Sequence, residues 1–260
     1  MKRNCINDSS MKGEIVMTER RKHISFYYET GEIPDVKLDP KKTALLIVDM
    51  QNEFVLRDFG EALGFKEKGE WDRWIPFHDR LDDIVIPNTK RLIDLFRKNK
   101  LEVTYGRIAC LKQDGSDRSP VQKTPGWNEM LLPVGTYAAE MIEELKPLPN
   151  EIVVNKTTDS VISGTNYAQL IRNMGIETVI VTGIVTDQCV SSTVRSLADE
   201  GFKVIVVEDC CAAADQEHHD AELTIINVIY GHVMSTDEVI ELIKREMKVE
   251  EYKVYEEKAQ

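Results

Sequence analysis

The chain has 260 residues, 42% hydrophobic and 30% charged, which is ample for one sizeable core. Its net charge of -12 excludes a broad electrostatic grip on nucleic acid or on an anionic membrane surface. No apolar run approaches the ~20 residues that span a bilayer, and the opening MKRNCINDSSMKGE lacks the apolar stretch of a secretory signal. The five cysteines (Cys5, Cys110, Cys189, Cys210 and Cys211) are odd in number and unevenly spread. They suit neither a secreted disulfide framework nor a CxxC zinc site, so a reduced, cytoplasmic protein is expected.

Residues 1–40 are polar and mixed in charge, with Gly31 and Pro34 interrupting any pattern. They read as an arm that wraps the domain or a neighbouring subunit. One domain is expected over 41–247, followed by a charged tail at 248–260. Its first strand is the run Thr43 to Val48, which ends on Asp49; continuous apolar runs of this length suit parallel strands buried on both faces. The next segment, 54–78, holds Phe54, Phe59, Phe65, Trp71, Trp74, Phe77 and His78 among many charges. A lid over a crevice and a subunit contact are equally open readings there.

Leu92, Ile93 and Phe96 share a helical face after Pro87, which is read as a helix start. Strands follow at Val103–Tyr105 and Ile152–Val154. Tyr167, Leu170, Ile171 and Met174 keep helical spacing until Gly175 stops them. A strand at Thr178–Val181 precedes the helix of Val190, Val194, Leu197 and Ala198, which ends at Gly201. Strands at Val204–Val207 and His232–Met234 and a helix through Val239, Ile240 and Ile243 complete the chain. Strands alternating with helices imply right-handed βαβ units, hence a doubly wound three-layer α/β sandwich with a six-stranded, mainly parallel sheet.

In such sheets ligands bind beyond the carboxyl ends of the strands. Asp49 ends the first strand, Lys156 follows the third, and Cys189 follows the fourth through Gly183 to Gln188. Each residue alone has a bland reading: a packing thiol, a helix-capping carboxylate, a solvated amine. Together at one edge they supply a nucleophile, a proton acceptor and an organising cation. A free thiol is only slightly ionised at neutral pH, so a helix N-terminus and Lys156 are expected to favour the thiolate. Thr186 or Asp187 is expected to cap that helix, with Cys189 in its first turn. Asp49 would take the thiol proton and return it to a leaving amine.

Four segments carry a resemblance: Leu46 to Phe54 (LIVDMQNEF), Asn155-Lys156 with Gly164-Thr165, Thr182 to Val190 (TGIVTDQCV), and Val207 to Ala213 (VEDCCAA). They resemble the isochorismatase-like cysteine hydrolases, in the family's order and spacing over about 42–245. The resemblance implies a six-stranded parallel sheet with Asp49, Lys156 and Cys189 as the catalytic set. It also implies a cis peptide between Ile184 and Val185, with the N–H groups of Val185 and Cys189 forming an oxyanion hole.

Cys189 argues against the ether-cleaving members of this family, which lack a cysteine there. Nicotinamidases carry an Asp-x-His zinc pair after the second strand, where this chain reads Tyr105 to Cys110 (YGRIAC). No metal and no cofactor are therefore expected. The chain looks closest to the metal-free branch that hydrolyses carbamoyl and ureido compounds such as biuret, ureidoacrylate or N-carbamoylsarcosine. A small-molecule amide or ureido substrate is thus expected, with a homodimer or homotetramer as the assembly. The alternatives are a nicotinamidase-type amidase and a catalytically dormant binding or assembly protein.

Phe54, Arg107, Trp127 and Tyr230 are expected around the substrate, Arg107 by bidentate contact with a carboxylate or carbonyl. His218 and His219 point in different directions from one helix start and are not expected to bind metal. Vicinal Cys210 and Cys211 bridge only with strain, so buried packing is expected for both.

Overall fold

The computed structural model of the protein describes residues 22–126 and 128–259, the stretch 249–259 as backbone alone. Six strands form one sheet: β1 (Thr43–Val48), β2 (Glu102–Ile108), β3 (Ile152–Lys156), β4 (Thr178–Ile184), β5 (Lys203–Ala212) and β6 (His232–Met234). Their order is β3-β2-β1-β4-β5-β6 and every pairing is parallel, so the sheet is wholly rather than mainly parallel. All six residues of β1 are buried, as its unbroken apolar run requires. Strand alternation divides them: Leu45 and Ile47 join the core on one face, Ala44, Leu46 and Val48 the core on the other.

Helices cover both faces: α1 (Asn52–Val55), α2 (Glu61–Glu67), α3 (Trp71–Arg80), α4 (Ile86–Lys98), α5 (Tyr167–Asn173), α6 (Ser191–Asp199), α7 (Gln216–Ile226) and α8 (Thr236–Ala259). Pro87 stands in the first turn of α4, as a helix start requires, but α4 is not a fresh start. The helical path begins at Trp71 and passes through a wider π-type turn at Leu81–Val85 into α4, leaving Pro87 mid-path. A widened turn is one of the few ways a helix accommodates a proline that has no N–H to give. As far as residue 259 the backbone of the charged tail continues α8.

Strand order reverses direction between β1 and β4, and a crevice opens at their carboxyl ends. Gly183 keeps that junction tight. Its φ is 115°, and a Cβ there would lie 2.0 Å from the Val48 carbonyl oxygen.

The arm runs over its own domain from residue 22 onward; residues 1–21 lie outside the described part. Val36 and Leu38 are buried, and Arg245 Nη2 donates to the Val36 carbonyl at 3.1 Å. Asn227 Nδ2 donates to the His23 carbonyl at 2.7 Å, while His23 Nε2 and Lys22 Nζ both reach Glu208 Oε2. No helix among the described residues is long and apolar enough to cross a membrane.

Candidate active site

The crevice brings together the three residues that sequence placed at the strand ends. Asp49 follows β1 with φ 52°, a left-handed conformation that Asp tolerates better than most residues. Its Oδ1 accepts from the Ile108 N–H at 2.9 Å, and its Oδ2 lies 2.8 Å from Lys156 Nζ. Lys156 Nζ donates to Cys189 Sγ at 3.3 Å and to the Thr158 carbonyl at 3.2 Å. Two of the ammonium's three donors are thus hydrogen-bonded, and Asp49 faces it as the charge partner. The Lys156 side chain is 0% exposed and that of Asp49 3%, so this charge pair acts with little solvent screening.

Burial lifts the Asp49 carboxyl above the usual carboxylate range, against the pull of Lys156, Cys189 and the Ile108 N–H. Burial also opposes the Lys156 charge, but Asp49 and Cys189 more than offset it and its pKa rises. For Cys189 the expectation of a resting thiolate is corrected. Burial and the Asp49 charge push its thiol well above its ordinary value, and Lys156 does not reverse the shift. By that shift the sulfur holds its proton as a thiol, with the Lys156 ammonium between it and the Asp49 carboxylate.

The turn that carries Cys189 also differs from the expected helix start. Thr186–Val190 forms a single π-type turn, and α6 begins only at Ser191. Neither Thr186 nor Asp187 caps it through a side chain. The Thr186 hydroxyl is instead 2.8 Å from His219 Nδ1, inside the protein. The Ile184–Val185 peptide is cis, as the resemblance implies.

Two supports escaped sequence reasoning. Gln51 Oε1 accepts from the same Ile108 N–H as Asp49, and its Nε2 donates to the carbonyls of Ile108 and Ala139. It clamps the end of β2 against the loop holding Asp49; its place three residues after β1, inside the segment Leu46 to Phe54, was the available signal. The second support is His219. Arg80 Nη2 donates to its Nε2 at 2.9 Å, which leaves Nδ1 to donate to Thr186. Burial and the Arg80 charge push the His219 pKa down to about 3, so the ring stays neutral.

Arg80 also donates to the carbonyls of Cys211 and Glu208, so that α3, β5 and, through His219, the Cys189 turn are joined. His219→Ala strands an Arg80 N–H and the Thr186 hydroxyl in the interior. The expected cost is about 1–3 kcal/mol in a urea melt, with slower alkylation of Cys189. Wild-type stability and labelling in that variant would remove His219 from this role. His218, next to it, is exposed and paired with Asp215.

Cys189 opens into a cavity of about 650 Å³. Segment 54–78 walls it with Phe54, Phe65, Trp74 and Phe77, so Phe54 stands where expected. Phe65 and Trp74 stack with ring centroids 4.1 Å apart, and Phe77 meets Trp74 edge-on. Arg107 does not line this cavity. Its Nη1 pairs with Glu140 Oε2 at 2.7 Å and its Nε donates to Asn155 Oδ1 at 2.8 Å, which ties β2 to β3. Tyr230 also lies off the cavity, with the Arg195 guanidinium 5.3 Å from its ring centroid. Trp127 lies outside the described residues, although Gly126 and Asn128 beside it line the cavity. Cys210 and Cys211 are buried free thiols, both pushed up by burial.

A carboxylate and a thiol held against one buried ammonium at the switch point of a parallel α/β sheet define a cysteine-nucleophile type of site. The isochorismatase domain model matches residues 43–238, and the chain belongs to that family. It is 29% identical over 213 residues to an uncharacterized isochorismatase family protein, YwoC, of Bacillus subtilis; the match covers 80% of this chain and 98% of that protein. Identity to the ureidoacrylate amidohydrolase RutB of Agrobacterium fabrum is 28%, over 67% of this chain and 77% of that one. Among solved structures, N-carbamoylsarcosine amidase from Thermoplasma acidophilum matches with a TM-score of 0.56 at 26% identity, covering 75% and 97% of the two chains. A cysteine hydrolase from Pseudomonas syringae pv. phaseolicola shares the fold with a TM-score of 0.70 at 24% identity, covering 84% and 99%.

Proposed function

We propose that the protein is a cysteine hydrolase that cleaves a C–N bond of a small amide, carbamoyl or ureido compound through a thioester. The observation that carries this reading is Lys156 Nζ, buried and bridging Asp49 Oδ2 and Cys189 Sγ beside the cavity. Similarity to two named amidohydrolases supports the choice of bond.

As Sγ bonds to the carbonyl carbon, its proton passes to Asp49, and Lys156 holds both partners in place. The N–H groups of Val185 and Cys189 receive the oxyanion. Collapse breaks the C–N bond, and Asp49 returns the proton to the leaving nitrogen. Water then attacks the thioester and gives its proton to Asp49, the C–S bond breaks, and Sγ is reprotonated.

The test is ammonia release from a panel of small amides and carbamoyl compounds, followed by acid quenching during turnover. Intact mass should then show an adduct on Cys189 that hydroxylamine removes, as expected for a thioester. Turnover with no such adduct, in a quench fast enough to resolve the enzyme's own cycle, would argue for direct attack by water.

A further inference from the structure

The charges around the cavity say what kind of compound belongs in it. Asp49 is neutralised by Lys156, but Glu61, Glu129, Asp159 and Asp187 also line the cavity, and among the described residues that line it only Lys68 opposes them. Asp159 Oδ1 is 4.0 Å from Cys189 Sγ, so the negative charge reaches the reacting atom. Asp187 Oδ1 is buried with no hydrogen-bond partner among the described residues. Burial and the neighbouring Glu53 push Glu61 up to about 7 against the pull of Lys68, the mark of a carboxyl lacking a full counter-charge.

The remaining wall is aromatic, with the stacked Phe65–Trp74 pair beside Phe77. Carboxylates around aromatic faces form a poor host for an anion and a good one for a cation. Arg107, the residue expected to take a substrate carboxylate, is committed to Glu140 and Asn155.

We propose that the substrate presents its scissile carbonyl to Cys189 and carries an ammonium or guanidinium group that rests against the acidic and aromatic wall. The inference rests on the cysteine-hydrolase reading and departs from the ureido acids named for its relatives, both of which bear a carboxylate.

Two measurements test it. In the first, Cys189 is alkylated with iodoacetate, iodoacetamide or an iodoacetamide carrying a trimethylammonioethyl group. Site-specific rates are read by mass spectrometry and normalised to glutathione. The cationic reagent should exceed the anionic one by at least about tenfold at low salt, and the ratio should shrink in ~0.5 M salt. It should also fall in Glu129→Gln/Asp159→Asn. A normalised ratio near one or below overturns the proposal.

In the second, ammonia release is compared among carbamoyl compounds of equal length ending in trimethylammonium, tert-butyl or carboxylate. kcat/KM should fall in that order, with the difference carried by KM. Faster release from the carboxylate sinks this inference and leaves the hydrolase reading standing. Cation-preferring alkylation with no ammonia from any compound sinks the hydrolase reading and the inference with it.

Discussion

Cys189→Ala is expected to lower ammonia release on the order of 10⁴-fold or more, down to what the cavity achieves by binding alone. In the proposed mechanism the sulfur is the atom that bonds to carbon, and neither Asp49 nor Lys156 can take its place. Asp49 has its carboxylate held between the Ile108 N–H and the ammonium. Lys156 is held by Cys189 Sγ, the Thr158 carbonyl and the Asp49 charge, and its pKa is raised, so it offers no free amine.

Folding should change little, by about 1 kcal/mol, because one buried atom is lost while the Asp49–Lys156 pair stays intact. Cys189→Ser should fare almost as badly, since a hydroxyl is a harder acid for Asp49 to deprotonate. The check is a discontinuous ammonia assay with a urea melt on the same preparation. A variant that keeps a tenth of wild-type turnover at normal stability would dismiss Cys189 as the nucleophile.

Lys156→Met should be the most destabilising single change at the site. Methionine has nearly the same length, so the cost is electrostatic: an Asp49 carboxylate 3% exposed loses its counter-charge. Breaking a buried pair in this way costs about 3–5 kcal/mol, or on the order of 10 °C in Tm for a domain of this size. The sign with pH follows from Asp49. Its carboxyl is already raised by burial, and losing Lys156 raises it further, so the fold then favours the protonated form. That contribution is fully present below the unfolded pKa and lost as pH rises through the folded one. The deficit should thus be largest at neutral pH and above, and shrink towards pH 4. Asp49→Asn/Lys156→Met should recover much of the stability and none of the activity. A Tm deficit independent of pH would mean that Lys156 acts by packing rather than by charge.

The strand cores were legible because burial on both faces leaves only apolar residues to use, and Thr43–Val48 is such a run. Asp49, Lys156 and Cys189 were legible for a related reason: parallel topology fixes which strand ends meet, whatever lies between them. Length was harder to read. The run Val204–Val207 marked β5, but the strand continues through Glu208, Asp209 and two cysteines to Ala212. Its last part pairs with β4 beyond a register shift, at Gly183 with Cys211, where no apolar pattern signals it. Side-chain partners across long separations were not legible at all. Arg107 looked free for a ligand because Glu140 lies 33 positions away, and His219 looked idle because Arg80 lies 139 positions away. The thiol's protonation state depends on burial, which sequence does not state.

The small ion cluster at Glu208 bears on where this chain can be cut. The family match begins at residue 43, which would tempt an experimenter to remove everything before it. Burial pushes the Glu208 carboxyl up, yet hydrogen bonds from His23 and Lys22 outweigh it and hold the group at about 2. Stability from this cluster is present above the ordinary carboxylate range and is lost as pH falls towards 2. A chain starting at residue 43 would leave that carboxylate partly buried without its Lys22 and His23 partners, and Asn227 without the His23 carbonyl it binds. Glu208 lends its own carbonyl to Arg80, the residue that steadies His219 behind the nucleophile turn. A truncation made for convenience at the far end of the protein would therefore register as sluggish chemistry at its centre.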